Sequence, residues 1–77
     1  MKDILYLVIP CYNEQEVLDV TAEKLTAIMQ DMIVREKISA ESRILLVNDG
    51  SKDKTWEIIE RLHGENELIQ GLKLSRN

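Results

Sequence analysis

Cysteine is nearly absent. Cys11 is the single one in 77 residues, so no disulfide can close within the chain, and a reducing, cytoplasmic setting is expected. With one histidine, His63, beside it, a Cys/His zinc cluster is excluded. No apolar run approaches the roughly 20 residues that a membrane-spanning helix needs. No basic stretch followed by an apolar core and a small-residue cleavage site opens the chain, so a signal peptide is not expected. Basic charge is in deficit: 10 Lys and Arg stand against 14 Asp and Glu, a net charge of −4. That argues against a nucleic-acid partner, because phosphate backbones require a basic surface. Proline occurs once and glycine three times, and no linker, repeat or low-complexity tract is visible.

What is present reads as a folded chain. Apolar residues make up 44% and charged residues 31%, which is ordinary for a globular protein. "ILYLVI", Ile4 to Ile9, is a continuous apolar run read as a buried strand that stops at Pro10. From Glu14 the spacing changes. Leu18, Ala22, Leu25, Ile28 or Met29, Met32 and Ile33 recur at helical steps, predicting a long amphipathic helix that ends near Lys37. "RILLVN", Arg43 to Asn48, is the second strand. Trp56, Ile59 and Leu62 mark a second helix, with Asp53 as its candidate N-cap and His63–Gly64 as its stop. "LIQGLKLS" is a third strand, weakened by Gly71.

The order strand–helix–strand–helix–strand predicts an α/β, Rossmann-like βαβαβ unit with a parallel sheet. Three parallel strands with two helices make a thin version of this architecture, because parallel sheets need both faces covered. Residues 1–77 are therefore read as a single partial domain, the amino-terminal part of a larger one. Exposed apolar surface and self-association of the piece are expected.

In open α/β sheets, ligands bind beyond the carboxyl ends of the strands. Two such ends carry unusual residues: "PCYNE" after the first strand and "NDGS" after the second. Tyr12 offers an aromatic face. Asn13, Glu14 and Asp49 offer amide and carboxylate groups, and Gly50 a turn without a side chain. The set suits a planar heterocycle with a ribose. Tyr12 would stack on the base, Asp49 would accept from a ring N–H, and Glu14 would reach the base edge or a ribose hydroxyl. A carboxylate that only accepts discriminates well, since a buried donor left unpaired costs about 1–3 kcal/mol. Neither a G-x-G-x-x-G nor a G-x-x-x-x-G-K-[ST] phosphate cradle is present. Asn48, Asp49, Gly50 and Ser51 are also ordinary turn formers, Pro10 also reads as a strand terminator and Tyr12 as a half-buried surface aromatic, and residue chemistry alone leaves the two readings level. A receiver-like or flavodoxin-like module, or a structural half-domain, stands beside the nucleotide-site reading. Cys11 reads as a tolerated small residue, His63 as a helix-end residue and Trp56 as a core anchor; Lys52 and Lys54 could reach a phosphate, but solvent exposure is the favoured reading for both.

Taken together, "LVIPCYNEQEVL", "ILLVNDGSKDKTWEII" and "LKLSRN" resemble the amino-terminal region of family 2 glycosyltransferases. The likeness is greatest to the branch with dolichyl-phosphate mannose synthases and undecaprenyl-phosphate sugar transferases. That family opens with an apolar strand, P-x-Y-N-E and a helix. It continues with a strand, a D-D-G-S or N-D-G-S turn, a downstream D-x-T and a helix, and then a strand ending in S-R-N. The resemblance implies a GT-A fold that binds a nucleotide-sugar donor and passes a hexose to a lipid-phosphate or glycan acceptor. It implies that Pro10, Tyr12 and Glu14 line the nucleoside pocket, that Val47 packs against the base and that Asp49 hydrogen-bonds it. Asn48 departs from the commoner first aspartate of the turn. The family's D-x-D is not among these residues, so Mg²⁺ or Mn²⁺ would be held mostly by ligands of the parent protein outside this chain. The resemblance leads us to expect that the piece alone transfers no sugar and that the parent works in the cytoplasm or at the cytoplasmic face of a membrane.

Overall fold

Three parallel strands lie in the order β1–β2–β3, where β1 is Tyr6–Cys11, β2 is Arg43–Asp49 and β3 is Ile69–Leu74. Helix α1 (Leu18–Val34) joins the first two strands and α2 (Thr55–Glu65) the last two. The computed structural model describes residues 2–74. The α/β architecture and the alternation are those the sequence predicts. The Ser75 end of the predicted third strand and the "SRN" motif, with Arg76 and Asn77, lie outside the described residues.

Consecutive crossovers of one hand place both helices on the same face of a sheet ordered 1–2–3. The helices indeed lie side by side: Arg61 of α2 pairs with Asp19 of α1, and the Asn66 amide just past α2 donates to Thr26 Oγ1 at 3.0 Å. Beneath them the core is built from Leu18, Ala22 and Met29 of α1, Ile44 and Leu46 of β2, and Ile59 of α2. Cys11, Leu68 and Ile69 complete it. Strand β2 alternates strictly, with Ile44, Leu46 and Asn48 buried and the intervening residues half-buried.

The opposite face is open. Register pairs Val8 with Leu45, Pro10 with Val47, Val47 with Leu72, and Asp49 with Leu74. Residues in register share a face. Val8 is 57% exposed and Leu72 46%. The first strand is therefore not buried as predicted. Its face-alternating residues divide between the helix layer and this bare side.

Several boundaries move for physical reasons. Strand β1 starts two residues later than predicted and runs through Pro10 to Cys11. It is an edge strand of the described sheet, where alternate amides point away from β2 and a residue without N–H is tolerated. Helix α1 begins at Leu18 rather than near Glu14: residues 15–17 form a turn, with the Val17 and Leu18 amides both returning to Glu14 O at 3.1 and 2.9 Å, while the Glu14 and Gln15 amides donate to the loop after β2. Ile28 faces solvent and Met29 is the residue that enters the core. At the far end Glu36 adopts a left-handed φ of 60°, with its amide on Ile33 O and the Lys37 amide on Met32 O, both 2.9 Å. This is the Schellman closure that usually carries glycine. Helix α2 passes through His63 and Gly64, the predicted stop, and ends at Glu65. The His63 ring meets Ile69 O at 2.7 Å.

Gly71 is not a weak point of β3. A Cβ there would sit 2.6 Å from Ile59 Cγ2 and 3.5 Å from the Trp56 ring, so the glycine lets α2 approach the sheet. Trp56 is half-buried at this contact, and Lys73 Nζ lies 5.7 Å from its ring centroid.

Candidate functional site

Cys11 at the end of β1 pairs in register with Asn48 near the end of β2, so the loops that follow emerge together. Five hydrogen bonds join them. The Asn13 amide donates to Ser51 Oγ at 2.9 Å, and Asn13 Oδ1 in return accepts the Lys52 amide at 2.9 Å. The Glu14 amide donates to Thr55 Oγ1 at 2.8 Å and the Gln15 amide to Asp53 Oδ2 at 3.3 Å. Gln15 Oε1 accepts the Lys54 amide at 3.0 Å. Asn13 carries a φ of 50°, a conformation asparagine tolerates better than most residues. Backbone donors that a helix start would leave unpaired are thus satisfied across 38 to 41 residues of sequence.

The second loop is also held from within. Asn48, buried to 1% exposure, accepts the Ser51 amide on Oδ1 at 3.3 Å, which closes the turn around Gly50. Gly50 has a φ of 73°, where a side chain would be strained. Asp53 Oδ1 accepts the Thr55 amide at 2.9 Å, so Asp53 caps α2 although Lys54 occupies the cap position. Partial loss of hydration would raise the Asp53 carboxyl. The bonds from the Thr55 hydroxyl, the Thr55 amide and the Gln15 amide outweigh it and hold the group below the ordinary carboxylate range.

Between the two loops lies an open hollow of about 540 Å³ lined by Tyr12, Asp49, Gly50 and Lys52. Tyr12 and Asp49, the two residues on which the sequence reading turns, therefore border the same space. Pro10 and Val47 are register partners on the open sheet face, the face that also carries Asp49 one strand-repeat on from Val47. Glu14 stands apart. It borders a smaller recess of about 180 Å³ with Pro10, Cys11 and Val17 rather than the Tyr12–Asp49 hollow. Burial, and then the charge of Glu14, push the Cys11 thiol up from its ordinary value, which disfavours the thiolate. Lys54 borders a third hollow with Glu16, Glu57 and Arg61.

Asn13, expected to offer a ligand group, has its backbone amide and side-chain carbonyl engaged in the clasp. The sequence pattern does not mark Gln15, and it favours solvent for Lys52. The signal was present only as two loops rich in side-chain hydrogen-bonding groups. Among the described residues no group of three His, Cys, Asp or Glu is arranged to hold a metal ion, and no helix is long and apolar enough to cross a membrane.

Comparison with known proteins discriminates between the readings that the residues left level. An uncharacterized glycosyltransferase, YkoT, of Bacillus subtilis (strain 168) is 43% identical over 76 residues, covering 99% of this chain and 23% of that protein. A second, sll0501 of Synechocystis sp. (strain ATCC 27184 / PCC 6803 / Kazusa), is 41% identical over 73 residues, covering 95% of this chain and 21% of that protein. The chain thus spans between a fifth and a quarter of the length of these relatives. The model of Glycosyl transferase family 2 matches residues 6–77, which takes in both clasped loops and all three strands. Receiver-like and flavodoxin-like readings give way to that match, and the chain belongs to glycosyl transferase family 2.

Proposed function

We propose that this chain is the nucleoside-binding part of a glycosyltransferase. In this reading the parent moves a hexose from a UDP- or GDP-sugar to a polyprenyl-phosphate or polysaccharide acceptor. The observation that carries the reading is the shared hollow of Tyr12 and Asp49 at the carboxyl ends of adjacent parallel strands. Tyr12 stacks on the base, and Asp49 accepts its ring N–H. Pro10 and Val47 supply the apolar edge beside Asp49. Glu14, next to Pro10 in the adjoining recess, is assigned a ribose hydroxyl rather than the base. Gly50 keeps the turn bare so that a flat ring approaches the backbone.

Mg²⁺ or Mn²⁺ on the diphosphate belongs to carboxylates of the parent outside this chain, and a bound ion would neutralise the departing phosphate. The 77-residue chain alone accordingly binds but transfers no sugar. Placement with the dolichyl-phosphate mannose synthase-like branch, a lipid-phosphate acceptor and work at the cytoplasmic face of a membrane rest on the sequence resemblance.

Titration with uridine, guanosine, UDP and GDP, followed by amide NMR, tests the site. Shifts centred on Tyr12, Asp49 and Gly50 that weaken at least tenfold in Asp49→Ala are expected. Shifts that avoid both loops, or that survive Asp49→Ala unchanged, overturn it.

A further inference from the structure

Resting on the nucleoside reading, we infer that Lys52, among the described residues, grips a phosphate of the ligand. The site thereby favours nucleoside phosphates over free nucleosides without help from a metal. Three observations converge. Among the described residues, the hollow beside Tyr12 and Asp49 has one cationic lining residue, Lys52. Its place is fixed at the backbone: the Lys52 amide is held by Asn13 Oδ1 and the preceding Ser51 amide by Asn48 Oδ1, so only the long side chain is left to move. The neighbouring lysine is directed elsewhere, since Lys54 lines a different hollow among Glu16, Glu57 and Arg61.

The need for such a group follows from charge. The chain carries a net charge of −4, and Asp49 borders the very space a phosphorylated ligand would enter. An ammonium with three donors on a flexible stem meets a phosphate oxygen without a preformed cradle. That accounts for a nucleotide site lacking the glycine-rich phosphate loops. None of the ion pairs among the described residues takes Lys52, whereas Lys2, Arg35 and Arg61 each pair with a carboxylate. Reaching a phosphate therefore breaks no ion pair seen there. At an exposed position the attraction is screened by salt, so the preference shrinks as ionic strength rises.

The test compares uridine with UDP, and guanosine with GDP, on the full 77-residue chain in metal-free buffer. Wild type, Lys52→Ala, Lys52→Arg and Lys54→Ala are titrated at low and at high salt. We expect the diphosphate to bind about tenfold tighter than its nucleoside in wild type, a difference of about 1.4 kcal/mol. Lys52→Ala loses that advantage with nucleoside affinity unchanged, Lys52→Arg keeps most of it, and Lys54→Ala behaves as wild type. An advantage that survives Lys52→Ala, or that Lys54→Ala removes as well, overturns the role of Lys52 and leaves the nucleoside site standing. Wild type that binds neither member of either pair overturns the nucleoside reading and this inference together.

Discussion

The amide of Glu14 donates to the hydroxyl of Thr55 at 2.8 Å, across 41 residues of chain. Thr55 is fully buried and the same hydroxyl also meets Asp53, so one side chain ties the start of α2 to the loop after β1. Thr55→Val keeps the shape and removes the acceptor. A donor left without a partner at a part-buried site costs about 1–3 kcal/mol. Urea unfolding should show the unfolding free energy reduced by that amount, as a lower midpoint with the slope unchanged. A midpoint equal to wild type means that water replaces the hydroxyl and that the clasp carries no stability.

Asp53 makes part of this clasp titratable. Its folded-state carboxyl lies below its ordinary value of 3.8, so its contribution to stability is present above that value. The contribution is lost as pH falls through the folded-state value. Denaturation midpoints measured from pH 5 down to pH 2 should fall more steeply in wild type than in Asp53→Asn, which has no such group to protonate. Parallel profiles would show that Asp53 is not linked to folding.

How far the sequence reached is clearest at the two loops. Strand β2 and its turn were legible because Ile44 to Val47 run directly into Asn, Asp, Gly and Ser, a sharp change of residue type with local causes. The end of β1 was not. Pro10 reads as a terminator, but at the sheet edge it keeps a register place opposite Val47. The clasp was hidden for another reason. Asn13, Ser51 and Asp53 are each ordinary turn formers and Gln15 an ordinary polar residue, and which of them face one another is decided by strand adjacency, a tertiary fact. His63–Gly64 carries the chemistry of a helix stop, yet α2 continues one residue past Gly64, and the His63 ring contacts Ile69 O instead.

Gly71 gives a sharper test of the packing. The methyl it would meet, Ile59 Cγ2, is bonded directly to the Cβ of a helix residue and cannot swing aside. Gly71→Ala should therefore destabilise by about 1–3 kcal/mol through overpacking, outweighing the usual gain from replacing a strand glycine. Thermal unfolding that is unchanged or raised would mean that α2 slides freely over β3.

Glu36 points the other way. It occupies the left-handed position of the α1 Schellman closure, and its ion pair to Lys2 is exposed at 3.4 Å. Such a surface pair is worth little. Glu36→Gly should stabilise by about 1 kcal/mol, raising the melting temperature by roughly 4–8 °C for a chain of this size. A lowered melting temperature would show that the pair with Lys2 outweighs the backbone strain.

The bare face of the sheet leads to the last prediction. Val8, Leu45, Val47 and Leu72 lie next to one another on it, with Pro10 and Leu74 at its margin, and nothing in the described chain covers them. A contiguous apolar patch on a parallel sheet is costly to leave in water. We propose that copies of this chain associate through it. Sedimentation should show mass rising with concentration in wild type. Val8→Lys combined with Leu72→Lys should hold the chain at monomer mass, because like charges then face one another across any two-fold contact. These two positions point away from the helix layer, so the variant keeps the core beneath α1 and α2. A wild-type chain that stays monomeric at the highest concentrations, or a lysine variant that associates equally well, removes the open face as the seat of association.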